Sequence, residues 1–349
     1  MKSFKRLRTA FVSGAAIVAL ATLAACGGGG SESDGDLTKI TVLLPINSPI
    51  VHGFRVADEA GYYADEGLEV DLQFLKGGGE VAQQLLGGNA EVGALPLGNA
   101  AEALSQGHDD LRAFYAWTYG SLFSVAVPSD SPITSIEDLK GKKIGVAALS
   151  DGAVPIVNGM ARSAGLKEGD FDLTAVGDGT ALQVRAIEGD QVDGFGGSIN
   201  DMVALQAQGL DLRFLEPESL TSLPATGLVT TQDYLSSHSE VLEGLVRATS
   251  KGYWWAQSDP EATLKLLKKV TPEQFTDSAG EGIFRAVVPM TWNPDGEMGA
   301  QTADQWKKFF EFVGVPTPDV DLSTVVVDDL VPAANDFDKN AVQADAEKY

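Results

Sequence analysis

From residue 37 to residue 230, short apolar runs and helix-length runs take turns along the chain, and that order leaves few architectures open. Residues 39–44 (KITVLL) are β-branched and apolar, the composition of a strand buried on both faces. Residues 51–60 read as a helix with Phe54, Ala57 and Gly61 on one side. Residues 68–75 (LEVDLQFL) alternate apolar and polar side chains, the period of a strand. Gly77, Gly78 and Gly79 break the chain, after which 80–86 is a helix, 91–95 a strand and 98–105 a helix. Tyr115, Trp117 and Tyr119 then alternate along a further strand and share one face. A capped single turn at Ser135-Ile136-Glu137-Asp138 precedes a buried strand at 143–148. Helices at 154–164, 181–188 and 200–208 interleave with strands at 172–176, 191–195, 212–215 and 228–230. Such alternation predicts α/β architecture, with mostly parallel sheets flanked by helices. From residue 240 the pattern is helical only: Asp259-Pro260-Glu261 starts one helix, Thr271-Pro272-Glu273 repeats the device, and 301–312 is amphipathic. The last dozen residues are polar and expected to be loose.

The start of the chain is of another kind. Lys2, Lys5, Arg6 and Arg8 precede an apolar run at 11–23, and no acid interrupts them. A basic start, a short apolar core and a small-residue end make a secretory signal peptide over residues 1–25, too short for a stable membrane span. Cys26, the single cysteine, follows directly, so no disulfide forms within one chain. Leu23-Ala24-Ala25-Cys26 resembles the bacterial lipobox, in which the cysteine becomes the lipidated first residue of the mature chain. The Gly/Ser/Asp run to residue 36 then acts as a flexible tether. The formal charge of −24 repels nucleic acid, which is not expected as a partner.

A faint internal echo appears at a spacing of about a hundred residues. Gly87-Gly88-Asn89-Ala90-Glu91-Val92-Gly93 ends a helix and enters a strand, as does Glu188-Gly189-Asp190-Gln191-Val192-Asp193-Gly194. Helix-to-strand turn chemistry alone explains such a stretch; two similar α/β lobes explain both together.

Three longer stretches carry a family resemblance. Ala57-Asp-Glu-Ala-Gly-Tyr-Tyr-Ala-Asp-Glu-Gly-Leu-Glu-Val70, Ser135-Ile-Glu-Asp-Leu-Lys-Gly-Lys-Lys-Ile-Gly-Val146 and Ala186-Ile-Glu-Gly-Asp-Gln-Val-Asp-Gly194 appear in order. Together they resemble the extracytoplasmic solute-binding proteins of ABC importers for sulfonates, nitrate, taurine and thiamine-pyrimidine precursors. The resemblance covers about residues 37–275 and implies a two-lobed, type 2 periplasmic-binding-protein-like fold with a helical C-terminal part. Lobe 1 is expected at 37–125 and 225–349 and lobe 2 at 126–224, with crossings near 124–128 and 220–226. It also implies a monomer that delivers a small solute to a permease coupled to an ATPase, anchored by lipid at the outer face of the cell membrane. A sensory or adhesive solute-binding lipoprotein without its own transporter stays open beside that reading.

In open α/β sheets ligands bind beyond the carboxyl ends of the strands. That rule selects Asn47 and Ser48 in the loop 45–49, Gly78, Gly79 and Glu80 in 77–80, Asn99 in 97–99, Ser150, Asp151 and Gly152 in 150–152, and Ser198, Asn200 and Asp201 in 197–201. The loop 177–180 belongs to the same set, and Thr226 lies near a crossing. Trp117 and Tyr119 are candidate aromatic walls. No Arg or Lys falls in these loops, while Glu80, Asp151, Asp178 and Asp201 do. Carboxylates select an amine or ring N–H, and helix N-termini select an anion, so the ligand's charge stays open. Asp151 and Asp201 also suit helix capping. His52 lies near a histidine of the thiamine-precursor branch but one residue off its spacing to Gly61, and no role is carried to it. Catalytic constellations are not evident: Gly196-Gly197-Ser198-Ile199-Asn200 lacks the last glycine of a nucleophile elbow. The Cys-rich motif of the branch that makes thiamine pyrimidine is missing from a chain with one cysteine. A binding protein needing no cofactor or metal is expected, not an enzyme.

Overall fold

Ten strands assemble into two five-stranded sheets in the computed structural model, which describes residues 37–349 except 150, 168, 216–222, 294–295 and 318. The signal-peptide, Cys26 and tether expectations lie outside the described residues. The first sheet begins with β1 (Thr38–Leu44), α1 (His52–Glu59), α2 (Tyr62–Asp65), β2 (Leu68–Phe74), α3 (Gly78–Leu86), β3 (Val92–Pro96), α4 (Leu97–Ser105) and β4 (Leu111–Tyr119). The second contains β5 (Phe123–Pro128), β6 (Lys143–Val146), α5 (Ala153–Ser163), β7 (Asp172–Ala175), α6 (Thr180–Glu188), β8 (Gly194–Ser198), α7 (Ile199–Ala207) and β9 (Leu212–Leu215). The chain then returns as β10 (Pro224–Thr231) and closes with α8 (Gln232–Ser237), α9 (Ser239–Ser258), α10 (Pro260–Val270), α11 (Ser278–Val287), α12 (Ala303–Val313), α13 (Leu322–Val325), α14 (Val331–Asn335) and α15 (Lys339–Ala346).

The sheet orders are β2-β1-β3-β10-β4 and β7-β6-β8-β5-β9. Each is mixed. β1 pairs in parallel with β2 and β3, and β6 with β7 and β8. β10 runs antiparallel to β3 and β4, and β5 antiparallel to β8 and β9. The antiparallel member is in each case the strand that has just arrived from the other half, so direction reverses where the chain changes lobe. Residues 124–128, expected as the first crossing, instead lie within β5; the chain changes sheets at 120–122 and returns between β9 and β10.

The sequence echo has a structural counterpart. Val42 sits opposite Val92 in the first sheet, and Ile144 opposite Gly194 in the second. Just before the first pair the Thr41 N–H donates to the Glu91 carboxylate at 2.8 Å; just before the second the Lys143 N–H donates to Asp193, also at 2.8 Å. An acid just ahead of β3 thus satisfies an amide of β1, and one just ahead of β8 an amide of β6, in each case a charge-assisted bond that pins the register.

Local signals explain most helix starts. Ser135 and Asp138 form the expected capping box, and Asp259 accepts from the Ala262 N–H at 2.9 Å. The device does not repeat at Thr271, whose hydroxyl donates back to the Leu267 carbonyl, and only a short 3₁₀ turn, Pro272–Phe275, follows. The C-terminal residues are docked, not loose. Val342 and Ala346 of α15 are buried, Tyr62 donates to Asp345 at 3.3 Å, and the Tyr349 ring lies 5.2 Å from that of Trp255. The i, i+4 pair Val342 and Ala346 is the buried edge by which this otherwise small and polar helix is seated.

The first half's core gathers α1, α9 and β4 around Phe54, Tyr115, Trp117 and Tyr253. α1 and α9 approach so closely that a Cβ on Gly252 would stand 2.0 Å from the Gly53 carbonyl oxygen. A second core runs from one sheet to the other: Leu97, Val125, Val157 and Phe310 belong to it. α12 therefore packs on both halves, and Arg162 of α5 donates to the Phe312 carbonyl at 2.5 Å.

Candidate functional site

The first crossing is held at both ends. Gly120 has φ +81°, a left-handed conformation natural to glycine. Its N–H donates to the Leu223 carbonyl at 2.8 Å, tying the outgoing segment to the returning one. Ser121 closes a local turn, donating to the Phe123 carbonyl at 2.6 Å and accepting from the Phe123 N–H at 3.2 Å. The Leu122 carbonyl accepts from the Ile199 N–H at 2.8 Å, which fixes the start of α7.

A cavity of about 400 Å³ opens beside this crossing, between the two halves. Tyr119 to Ser124 form its floor. Ile199, Met202, Val203 and Gln206 form one wall, the i, i+3, i+4, i+7 face of α7. Ala286, Pro289, Met290 and Trp292, at the end of α11 and just beyond it, form the opposite wall. Met160 and Phe214 complete the lining. No side chain in it, among the described residues, carries a charge. The two walls meet where a Cβ on Gly282 of α11 would lie 2.6 Å from Val203 Cγ1.

The residues selected from strand ends fall into separate groups. Ser48 and Asn200 meet across the halves, the Ser48 hydroxyl donating to Asn200 Oδ1 at 3.1 Å. Asn47 beside them accepts from Gln274 at 2.6 Å and from Arg55 at 3.3 Å. Arg55 is thus a cation that the chain folds back onto a loop containing none; its guanidinium also lies 4.2 Å from the Phe74 ring centre. Ser198 and Asp201 form a capping box at α7, with Ser198 Oγ donating to Asp201 at 2.6 Å. Asp151 accepts from the Ala153 N–H at 2.7 Å, and Gly152 faces the Phe123 ring. Ser150 lies outside the described residues.

Gly78 packs against Asn99, so closely that a Cβ would stand 2.3 Å from Asn99 Oδ1. Gly79, Glu80 and Asn99 border a second groove of about 550 Å³ between α3 and α4, and Glu80 accepts from the Lys76 N–H at 2.8 Å. Thr226 is buried in β10 opposite Pro96 and Thr118. Tyr119 stands in the cavity floor, its hydroxyl donating to the Ala300 carbonyl at 2.9 Å. Trp117, two residues earlier, is absent from the lining: it lies between Phe54 and Tyr253, ring centres 5.5 and 6.0 Å away. His52 is fully buried; its Nδ1 donates to the Pro49 carbonyl at 3.0 Å, and desolvation lowers its pKa to about 4. Sequence reasoning passed over the three methionines and Phe214. The helical stripe on α7 was legible, but a stripe of that kind reads as core until a partner surface stands away from it.

The chain is similar to known proteins along most of its length. The family model described as NMT1/THI5 like matches residues 48–263. A formylaminopyrimidine-binding protein of Halalkalibacterium halodurans is 26% identical over 323 residues, covering 90% of this chain and 94% of its own. A riboflavin-binding protein of Chloroflexus aurantiacus is 23% identical over 299 residues, covering 81% and 82%. The periplasmic aliphatic sulphonate binding protein of Escherichia coli superimposes with a TM-score of 0.66 at 17% identity, covering 82% of this chain and 97% of its own.

Proposed function

Because the chain belongs to the NMT1/THI5-like family, we propose that it is the substrate-binding component of an ABC importer, capturing a small organic solute between its halves and presenting it to a membrane permease driven by an ATPase. The observation that carries this reading is the cavity at the crossing. Its floor belongs to the connection between the sheets, and its two walls belong to different halves. A solute seated there touches both halves at once only when they are together, so binding favours the closed arrangement by population shift. The relatives named for binding formylaminopyrimidine and riboflavin support a receptor for small organic solutes.

The receptor works outside the cytoplasm. Residues 1–25 serve as its signal peptide, Cys26 carries the lipid, and 26–36 let the folded part stand off the membrane as a monomer. Labelling cells with a radioactive fatty acid tests the anchor: the wild-type chain takes up label and Cys26→Ala does not. Solution scattering of the full chain with and without a bound solute tests the receptor reading. A 1:1 isotherm accompanied by a smaller radius of gyration supports it. Unchanged dimensions at saturation, or chemical conversion of the solute, overturn it.

A further inference from the structure

We propose, resting on the receptor reading above, that the crossing cavity takes an uncharged, mostly apolar, planar ring solute, and neither an anion nor a ring dense in hydrogen-bonding groups. Three of the five methionines of the whole chain, Met160, Met202 and Met290, line this one cavity, together with Phe123, Phe214 and Trp292. Thioethers are polarisable and adaptable and contact aromatic ring edges favourably, so this lining suits the faces and edges of a flat ring. About 400 Å³ matches a small fused-ring molecule.

The polar inventory is short. Tyr119 spends its hydroxyl on the Ala300 carbonyl and Ser121 on that of Phe123. Ser124, Gln206 and the Trp292 indole N–H remain as polar side-chain groups of the described lining. A ring bearing several amino and carbonyl groups would leave some of them unpaired, a desolvation cost that selects against it. An anion fares worse. No cation lines the cavity, and the start of α7 beside it is already occupied by the chain's own carboxylate, since Asp201 accepts from the Ser198 N–H and hydroxyl. The starts of α5 and α3 are served in the same way by Asp151 and Glu80. The helix termini that would otherwise attract a sulfonate or nitrate therefore present negative charge.

Titrating the full chain at neutral pH with quinoline, quinoline-5-sulfonate, cytosine, taurine and nitrate, reading Trp fluorescence and heat, tests this directly. Quinoline is expected to bind at least tenfold more tightly than each of the others. Gln206→Lys, placed on an exposed position of the same wall, is expected to shift preference toward quinoline-5-sulfonate by tenfold or more. Equal or tighter binding of the sulfonate or of cytosine by the wild-type chain overturns the proposal, as does failure of all five to bind. Scattering on the same samples separates the two readings. A charged probe that binds and compacts the molecule sinks the apolar class and leaves the receptor intact. Quinoline binding without compaction leaves the class and sinks the receptor.

Discussion

His52 shows how a single buried side chain sets a property of the molecule. Its ring is wedged against Tyr253 and Phe284, centres 5.0 and 5.2 Å away, and desolvation holds the imidazole neutral down to about pH 4. The unfolded chain takes up that proton near pH 6.5, so the unfolded state binds more protons between the two values. Stability present above pH 6.5 is therefore lost as pH falls toward 4, by about 3 kcal/mol for this one group. In denaturant titrations His52→Phe should show a shallower acid limb than wild type between pH 6.5 and 4; parallel curves would sink the assignment. Trp117 is the companion case. Truncating it to alanine should cost roughly 3–5 kcal/mol, the range for a large buried aromatic. Protein that remains folded should bind solute as before, because the indole lies outside the cavity lining. Neither outcome was legible in sequence. Tyr115, Trp117 and Tyr119 alternate as expected, but which member of such a stripe reaches a cavity depends on where the strand ends against the other half.

Elements were legible where their signals are local. The capping boxes at Ser135 and Ser198 and the Asp259-Pro260 start reside in three or four consecutive residues, and the helices follow. β8 was placed three residues early because Gly194-Phe-Gly-Gly-Ser198 has little strand preference of its own. Pairing with β6 and β5 makes it a strand. The meeting of α7 with α11, whose faces form the two walls of the cavity, was invisible for the same reason. Gly282 permits that approach, and Gly282→Ala would force α11 off Val203. The variant should keep its fold, lose roughly 1 kcal/mol or more from overpacking, and bind solute several-fold more weakly. Val203→Ala in the same chain should restore affinity, a coupling measured by a double-mutant cycle; additive losses would show that the contact does not govern the cavity.

At the scale of the whole molecule, the two-lobed plan was legible because it is written twice, in Glu91 and Asp193 and the turns around them. The cavity was not, because its walls come from segments some eighty residues apart in sequence that meet only through the packing of the halves. The loops at strand ends brought Ser48 to Asn200 across the halves, yet left the apolar lining to be found in the fold. The exchange of β5 and β10 between the sheets has a further consequence, in the order of synthesis. The first sheet cannot be completed until the chain has passed residue 231, since β10 stands between β3 and β4. β2, β1 and β3 can pair early, but the facing edges of β3 and β4 must wait unpaired while the second half is made. Non-local closure of this kind slows folding and lengthens the exposure of unpaired strand edges. A fragment ending at residue 125 should accordingly show little amide protection at those edges in hydrogen exchange, and the intact chain should gain protection in β3 and β4 together. Protection of those edges in the fragment alone would contradict this. A first sheet that stays open until residue 231 is made leaves that half unclosed through most of translation, a state that suits the membrane passage proposed above.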